Sequence, residues 1–539
     1  MRRIRLRLLR RPPASGQIST RHVIDAGGTT ILTTPAAAAP RPRPFGLSWT
    51  TQAWIAAGVG IAFMLASMAT RPLWRDEYWA LYFSDVAHTA GFDLTQRITK
   101  DVHPPFYFML LHLWRQVNGS DGWARVLTLP LLAAGAWATW RLGRTRPRET
   151  GMFLLLSATS YWLIYYGVEV RMYFLMFVLS TLSVVVVRNA LQRPETVYSS
   201  AGLMVLIGAP LALSHFFGAL WVAVLGAWTG LALLRAGRIG GFLAWGAASA
   251  VAIAPVVVWI AFVHPQHNPG AATQFLPIGG ALEYASTQFF RGWFKTLASN
   301  LVATLAALLC AAPLIRRRDP FDGVLALAIV STVLIAFGVH LFWVPLIKER
   351  AFIVVMPATS YLLVRAMASV GAGQPRAARL IAWVPLVAAL SPLLLVSEYF
   401  KNFEHTPEVR QLIAKGGHCA GAPIVAYYRP SDQGQDFAEF MTRRMLAGAA
   451  HGHDVTLVNA ADLAARHQPP PPNPNCTVKA LALGLTTGER SDHIDARNGL
   501  AAAGVPLATL QERRIGRDRQ LVWLGPAEGT VSAQKSASP

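Results

Sequence analysis

Charge is what this chain has least of. Only 14% of its 539 residues are Asp, Glu, Lys or Arg, against about 25% in an ordinary soluble domain. That shortage, with 53% apolar residues in long unbroken blocks and a mean hydropathy of +0.36, excludes a soluble enzyme and a disordered chain. Cysteine is scarce as well. The three residues Cys310, Cys419 and Cys476 form no CxxC or Cys/His spacing, which excludes a disulfide scaffold and argues against a structural zinc site. No internal repeat is visible. What these absences leave is a polytopic membrane protein.

Acid is rarer than base, and the formal net charge is +21. A basic balance of that size fits a polyanion-binding protein, but its distribution argues otherwise. Residues 1–50 carry Arg2, Arg3, Arg5, Arg7, Arg10, Arg11, Arg21, Arg41 and Arg43 against Asp25 alone. Most of the remaining excess falls in short loops between apolar blocks. That is the positive-inside pattern, with the basic start as a cytoplasmic anchor against anionic lipid and no role for nucleic acid.

The apolar blocks run about 52–70, 124–140, 151–168, 172–190, 199–214, 216–234, 240–263, 297–315, 323–345, 351–369 and 380–397. Each is read as a helix, because every backbone polar group in hydrocarbon must be paired internally. A twelfth candidate, HPPFYFMLLHLWRQV at 103–117, is rejected on orientation. If it crosses, the loops with Arg141 to Arg148, Arg188 and Arg193, Arg235 and Arg238, Arg316 to Arg318, and Arg376 and Arg379 all move outside. The Lys/Arg bias therefore selects eleven spans and an amphipathic helix on the outer surface, where His112 and Arg115 suit an interface. Ser67-Met68-Ala69 resembles a signal-peptidase site, but some fifty residues ahead of the helix make an unusual leader, so the first helix is read as an uncleaved span.

The expected fold class is an all-α polytopic membrane protein with a small C-terminal α/β domain. The expected boundaries are 1–50 for the cytoplasmic segment, 51–399 for the membrane domain and 400–539 for the extracytoplasmic domain with a disordered tail. In that last part Ile424–Tyr428, Val455–Val458, Val478–Leu483 and Leu521–Leu524 read as strands. Phe437–Ala447 and His493–Ala503 read as helices,. QPPPPNP at 468–474 reads as a rigid connector. Cys419 and Cys476 share the outer side, where they either pair or stay as two buried thiols.

Polar residues gather at the outer ends of the spans. They are Arg75-Asp76-Glu77 after span one, His103 at the head of the surface helix, Glu169-Val170-Arg171 between spans three and four, His215 between spans five and six, then His264 and His267, and Lys348-Glu349-Arg350 before span ten. Their common depth is consistent with one outward cavity. On a helix Asp76 and Glu77 point about 100° apart, so one acts as a general base and the other tethers the loop, through Arg75 or Arg171; a solvated acidic turn is the plain alternative. Arg171 is suited to hold phosphate in a bidentate fashion or to pair with Glu169. Lys348 and Arg350 sit against the positive-inside rule and point to an anionic ligand, or to snorkelling. His103-Pro104-Pro105 is a rigid entry whose imidazole accepts a hydrogen bond, holds a metal or caps the helix. His215, His264 and His267 are taken as structural.

In order, WRDEYW at 74–79, HPPFYFMLLHLW at 103–114, ARVLTLP at 124–130, EVRMY at 169–173 and KERAFIVVMP at 348–357 resemble the polyprenyl-phosphate-sugar-dependent glycosyltransferases of the GT-C fold. Among these are the protein O-mannosyltransferases, lipid A aminoarabinose transferases and lipopolysaccharide galacturonosyltransferases. The resemblance covers roughly residues 50–400. It implies a GT-C membrane domain with surface helices in the first outer loop, and an Asp76 base supported by Glu77. It further implies Arg171, Lys348 and Arg350 around the lipid-linked phosphate, with His103 and Glu169 completing the substrate-binding set. The donor would be a sugar on a polyprenyl or dolichyl monophosphate, and transfer to an acceptor hydroxyl would invert the anomeric carbon. Cations make phosphate a good leaving group without a cofactor; some relatives carry a divalent metal near this site, so a metal stays open. KERAF departs from the aromatic that often follows the arginine in relatives, which leaves the phosphate ligand open between Lys348 and Arg350. The competing classes are a transporter or flippase of a lipid-linked sugar and a non-catalytic assembly scaffold. The former is expected to show buried midplane charges and inverted repeats, which the sequence lacks.

Overall fold

A computed structural model describes residues 22–24, 30–32, 49–71, 73, 75–86, 94, 97–99, 101, 103–143, 153, 154, 157, 161–262, 319–342, 349–373, 424–428, 440, 444, 455–459, 478–482, 510–515 and 518–524. The chain divides into two units, Met1–Gly46 and Leu47–Pro539. The first contains an antiparallel pair, β1 (His22–Ile24) and β2 (Thr30–Leu32), with His22 opposite Leu32.

The second unit begins with α1 (Trp49–Thr70), α2 (Arg75–Phe83), α3 (Phe106–Arg115), α4 (Asp121–Val126), α5 (Thr128–Gly143) and α6 (Tyr161–Tyr166). It continues with α7 (Tyr173–Gln192), α8 (Val197–Ala212), α9 (Phe216–Arg235), α10 (Ile239–Phe262), α11 (Pro320–Phe342), a 3-10 turn at Glu349–Val354 and α12 (Met356–Gly373). Among the described residues five helical stretches are long and apolar enough to cross a membrane: Tyr173–Gln192, Pro194–Ala212, Phe216–Arg235, Ile239–Phe262 and Pro320–His340. At 1.5 Å per residue, twenty residues match a hydrocarbon layer of about 30 Å. The expected spans 297–315 and 380–397 lie outside the described residues, as do all three cysteines, the polyproline stretch, His264, His267 and Lys348.

Local chemistry sets the breaks. Gly237, at φ +73°, closes α9: Arg238 N–H donates to the Leu233 carbonyl and Gly237 N–H to that of Leu234, 2.9 Å each. That double closure needs a left-handed residue and turns α10 straight back along α9. At the α9–α10 contact, a Cβ placed on Gly226 would lie 2.0 Å from Ser249 Oγ, so only glycine permits this approach. Two expected spans are subdivided. The block at 124–140 begins in α4, capped by Ser120 Oγ accepting from Trp123 N–H at 3.3 Å, before α5. The block at 351–369 begins as the 3-10 turn, and its α-helix starts only at Met356, where Pro357 suits a first turn,.

The twelfth candidate is a helix too short to span a hydrocarbon layer on its own,. Helix α3 has ten residues, about 15 Å. Its Phe106 N–H donates to the Leu213 carbonyl at the end of α8 (3.0 Å). One expectation is reversed, however. His112 and Arg115 face inward, Arg115 fully buried, while Met109 and Leu113 are exposed. The two Nη atoms of Arg115 donate to the carbonyls of Leu81 (2.8 Å) and Gly119 (2.9 Å) and to Ser84 Oγ (3.1 Å). A guanidinium with three fixed oxygen partners is more stable inside than its chain position on an amphipathic helix implies.

Helices α11 and α12 are clamped by Arg365, which pairs with Asp322 (2.9 Å) and Asp319 (3.0 Å). Arg365 and Asp322 are buried. Both carboxylates meet the same nitrogen, Nη2, at the far tip of a side chain longer than that of lysine. Arg365→Lys is therefore expected to cost about 1.5 kcal/mol, read as a lower melting temperature in detergent; an unchanged melting temperature refutes the clamp.

Five strands, β3 (Ile424–Tyr428), β4 (Val455–Asn459), β5 (Val478–Ala482), β6 (Leu510–Ile515) and β7 (Asp518–Leu524), form one sheet in the order β4-β3-β5-β7-β6. Strand β3 is parallel to β4 and β5, β7 is antiparallel to β5, and β6–β7 is an antiparallel pair. Four strands fall within a few residues of expectation. Strand β6 was missed because LQERRI is charged, as edge strands often are. Phe440 and Arg444 are helical as expected. The Phe440 ring meets Tyr82 of α2 at 5.4 Å, and Arg444 pairs with Asp121 at the start of α4. The expected helix 493–503 lies outside the described residues.

Candidate functional site

The first turn of α2 presents two carboxylates to opposite surroundings. Glu77 is fully buried. Both of its oxygens lie 3.2 Å from Arg125 Nη2, and Oε1 also accepts from Val170 N–H at 3.0 Å. Arg125 reaches on to the Met68 carbonyl (3.3 Å) and the Arg71 carbonyl. Glu77 therefore ties α2 to the end of α1, to α4 and to the α6–α7 junction. The expected tether is thus present, but its cation is Arg125 and not Arg171.

A second buried pair lies behind it. Arg71 Nη2 is 2.9 Å from Glu169 Oε1, and its Nη1 donates to the Tyr165 carbonyl at 2.8 Å. Glu169 Oε2 is buried without a hydrogen-bond partner among the described residues. Burial pushes Glu169 up to about 7, against the pull of Arg71 and helped by repulsion from Glu77. Glu169 therefore pairs with Arg71, not Arg171, and sits beneath the site.

This raised carboxyl sets a sign for pH. Between its ordinary 4.5 and about 7 the unfolded chain releases a proton that the folded chain keeps, so stability falls as pH rises through that window,. The difference between Glu169→Gln and the native protein is expected to grow in the variant's favour by about 3 kcal/mol from pH 4 to pH 8. Melting temperatures across that range check it, and a pH-independent difference refutes it.

Asp76 points away from this platform and is one-fifth exposed. Its carboxylate pairs with the guanidinium of Arg350, from the 3-10 turn before α12. Arg350 lies 5.5 Å over the ring of Tyr173, a cation–π placement. The turn itself is held to α7 by Ser180 Oγ donating to the Val354 carbonyl. Arg171 is buried, and its Nη1 donates to the main-chain carbonyl of Asp76 at 3.3 Å. Burial alone would lower both arginines, but Tyr173 and Asp76 hold Arg350 and Arg171 above their ordinary value.

Beside these cations sits a dyad. Asp101 Oδ1 is 2.6 Å from His103 Nδ1 and also accepts the His103 main-chain N–H at 2.8 Å. Asp101 thereby holds His103 with its proton on Nδ1. Burial, with Arg171 and Arg350 adding to it, keeps His103 below its ordinary value, despite Asp101. The His215 ring lies 5.0 Å away and caps α9, its Nδ1 accepting from Phe217 N–H at 3.1 Å; this is the structural role expected of it.

Asp76, Arg171 and Arg350 thus converge from three segments, with His103 in electrostatic reach of both arginines. Sequence reasoning missed Arg71, Arg125, Asp101 and Tyr173. A lone arginine heading an apolar block and the Asp-x-His spacing were the available signals. Among the described residues no three His, Cys, Asp or Glu side chains form a metal-ligand group, and the Asp101–His103 pair supplies at most two ligands.

No family model matches the sequence, and no curated protein matches it either. Among solved structures, ArnT from Cupriavidus metallidurans bound to undecaprenyl phosphate matches with a TM-score of 0.52 at 13% identity, over 88% of this chain and 98% of that one. Its apo state matches equally. The apo oligosaccharyltransferase of Archaeoglobus fulgidus matches at TM-score 0.40 and 11% identity, over 76% and 65% of the two chains. At such identity the likeness to ArnT is one of fold, and the chain therefore has the GT-C membrane fold that the order of its motifs resembles.

Proposed function

We propose that this protein is an integral-membrane glycosyltransferase. It moves a sugar from a polyprenyl-phosphate carrier to an acceptor hydroxyl on the extracytoplasmic side, with inversion. The observation that carries this reading is the convergence of one partly open carboxylate, Asp76, with the guanidiniums of Arg350 and Arg171. Transfer from a phosphate carrier needs that set: a base for the incoming hydroxyl and fixed cations for the departing phosphate.

The chemistry balances simply. The acceptor oxygen attacks the anomeric carbon, its proton passes to an Asp76 oxygen, and the bond from that carbon to phosphate oxygen breaks on the opposite face. Arg350 and Arg171, with Lys348 as a third cation, take the phosphate charge. Burial keeps His103 neutral, and Asp101 on Nδ1 orients it as a hydrogen-bond acceptor for the sugar. ArnT in complex with undecaprenyl phosphate supports a carrier of that class.

Topology supports the same side for the site. Arg188, Arg193, Arg235 and Arg238 flank the α7–α8 and α9–α10 turns, at the opposite helix ends from the site residues. By the positive-inside rule those turns are cytoplasmic. On this reading residues 1–50 are cytoplasmic, 51–399 carry the spans in the cell's inner membrane and 400–539 lie outside.

The test is mass spectrometry of envelope lipids and glycans from cells with and without the protein, followed by transfer with purified protein in detergent. A sugar-bearing lipid, glycan or protein product that depends on the chain is expected. Movement of a lipid-linked sugar across vesicles with no transfer product would make it a flippase instead.

A further inference from the structure

Resting on that reading, we propose that Asp76 and Arg350 form a latch that keeps the base masked until the phosphate carrier arrives. The reading gives each side chain a task that the other obstructs. Asp76 must accept a proton, yet its carboxylate is neutralised by Arg350. Arg350 must hold phosphate, yet its guanidinium is engaged by Asp76.

The surroundings are built so that this one contact can open while everything around it holds. Glu77, anchored by Arg125 and Val170 N–H, fixes α2 without help from Arg350. Ser180 fixes the 3-10 turn from α7, and the Tyr173 face supports the Arg350 guanidinium. Arg171 holds the main-chain carbonyl of Asp76, not its carboxylate, and so keeps the backbone in place when the pair separates. Both partners of the pair are partly open, 16% for Arg350 and 20% for Asp76, whereas the Glu77–Arg125 and Arg71–Glu169 pairs are closed off. Of these three neighbouring pairs, an incoming anion therefore meets Asp76–Arg350 first.

The donor phosphodiester carries one charge, as a carboxylate does, and the lipid monophosphate left after transfer carries more. The donor meets Arg171 and Arg350 together, however, and can take Arg350 in a bidentate contact,. Asp76 is then released as a base at the moment the donor is seated. The order is donor before acceptor hydroxyl. After transfer the proton on Asp76 leaves to water, the lipid phosphate departs, and Arg350 returns to the carboxylate. Without donor, an acceptor hydroxyl or water finds no active base.

Binding of undecaprenyl phosphate to the full-length protein in detergent, by titration calorimetry, tests the latch. Asp76→Asn removes the competitor for Arg350 and is expected to bind about 3- to 10-fold more tightly than the native chain. Arg350→Gln is expected to bind at least as much more weakly. Asp76→Ala carries the same expectation as Asn and stands in if Asn fails to fold. Native binding that Arg350→Gln weakens but neither Asp76 variant tightens overturns the latch and leaves the glycosyltransferase reading standing. No binding to the native chain overturns both.

Discussion

Asp76→Asn is expected to reduce sugar transfer by about 10²- to 10⁴-fold, the usual contribution of a general base, while melting temperature changes little. The asymmetry follows from where the carboxylate sits. Its main chain is held by Arg171 and its helix by Glu77, so replacing one oxygen by nitrogen leaves the positioning contacts in place. The amide cannot take the acceptor proton. Because the latch predicts tighter carrier binding for the same variant, the Michaelis constant for the donor should fall together with the turnover number. A loss of transfer with weaker donor binding would instead make Asp76 a structural residue. Normal turnover would remove it as the base.

The helices that carry this site were legible because the hydrocarbon demand is blunt. The blocks at 172–190, 216–234 and 240–263 coincide with α7, α9 and α10 within two residues. The sequence argument against a crossing at 103–117 rests on the loops from Arg141 to Arg379, and the ten-residue length of α3 agrees with it. What charge patterning could not give was the facing of individual polar residues. Arg115 was expected toward headgroups, but three oxygen partners from the α2 end and the 119 turn draw it inward. The partition of the two adjacent carboxylates was foreseen from the 100° step of a helix. The partner of Glu77 was not, because Arg125 lies 48 residues away and periodicity carries no information on such a distance. The same applies to Arg71 and Glu169, 98 apart. Asp76, Arg171 and Arg350 stood out by their common depth at the outer helix ends, and the resemblance assigned their roles; the contacts by which they meet could only be seen once the turns were placed.

Arg125→Ala is expected to destabilise the protein by about 3–5 kcal/mol, since removing one partner of a buried ion pair strands the other charge. Glu77 has no exposure through which water could replace the guanidinium, and the carbonyls of Met68 and Arg71 lose a donor at the same time. The converse change, Glu77→Gln, should cost less. Its amide oxygen can still accept from Val170 N–H and from Arg125. The double variant Arg125→Met with Glu77→Leu should cost less than the sum of its parts, because no charge is then left buried. Its transfer activity nevertheless should not return. The pair also sets the angle at which the first turn of α2 meets the α6–α7 junction, and the Asp76 carboxylate rides on that turn. Recovery of stability without recovery of transfer would separate the positioning role of Glu77 from its contribution to folding. Recovery of both would mean that Asp76 is placed by Arg171 and Arg350 alone.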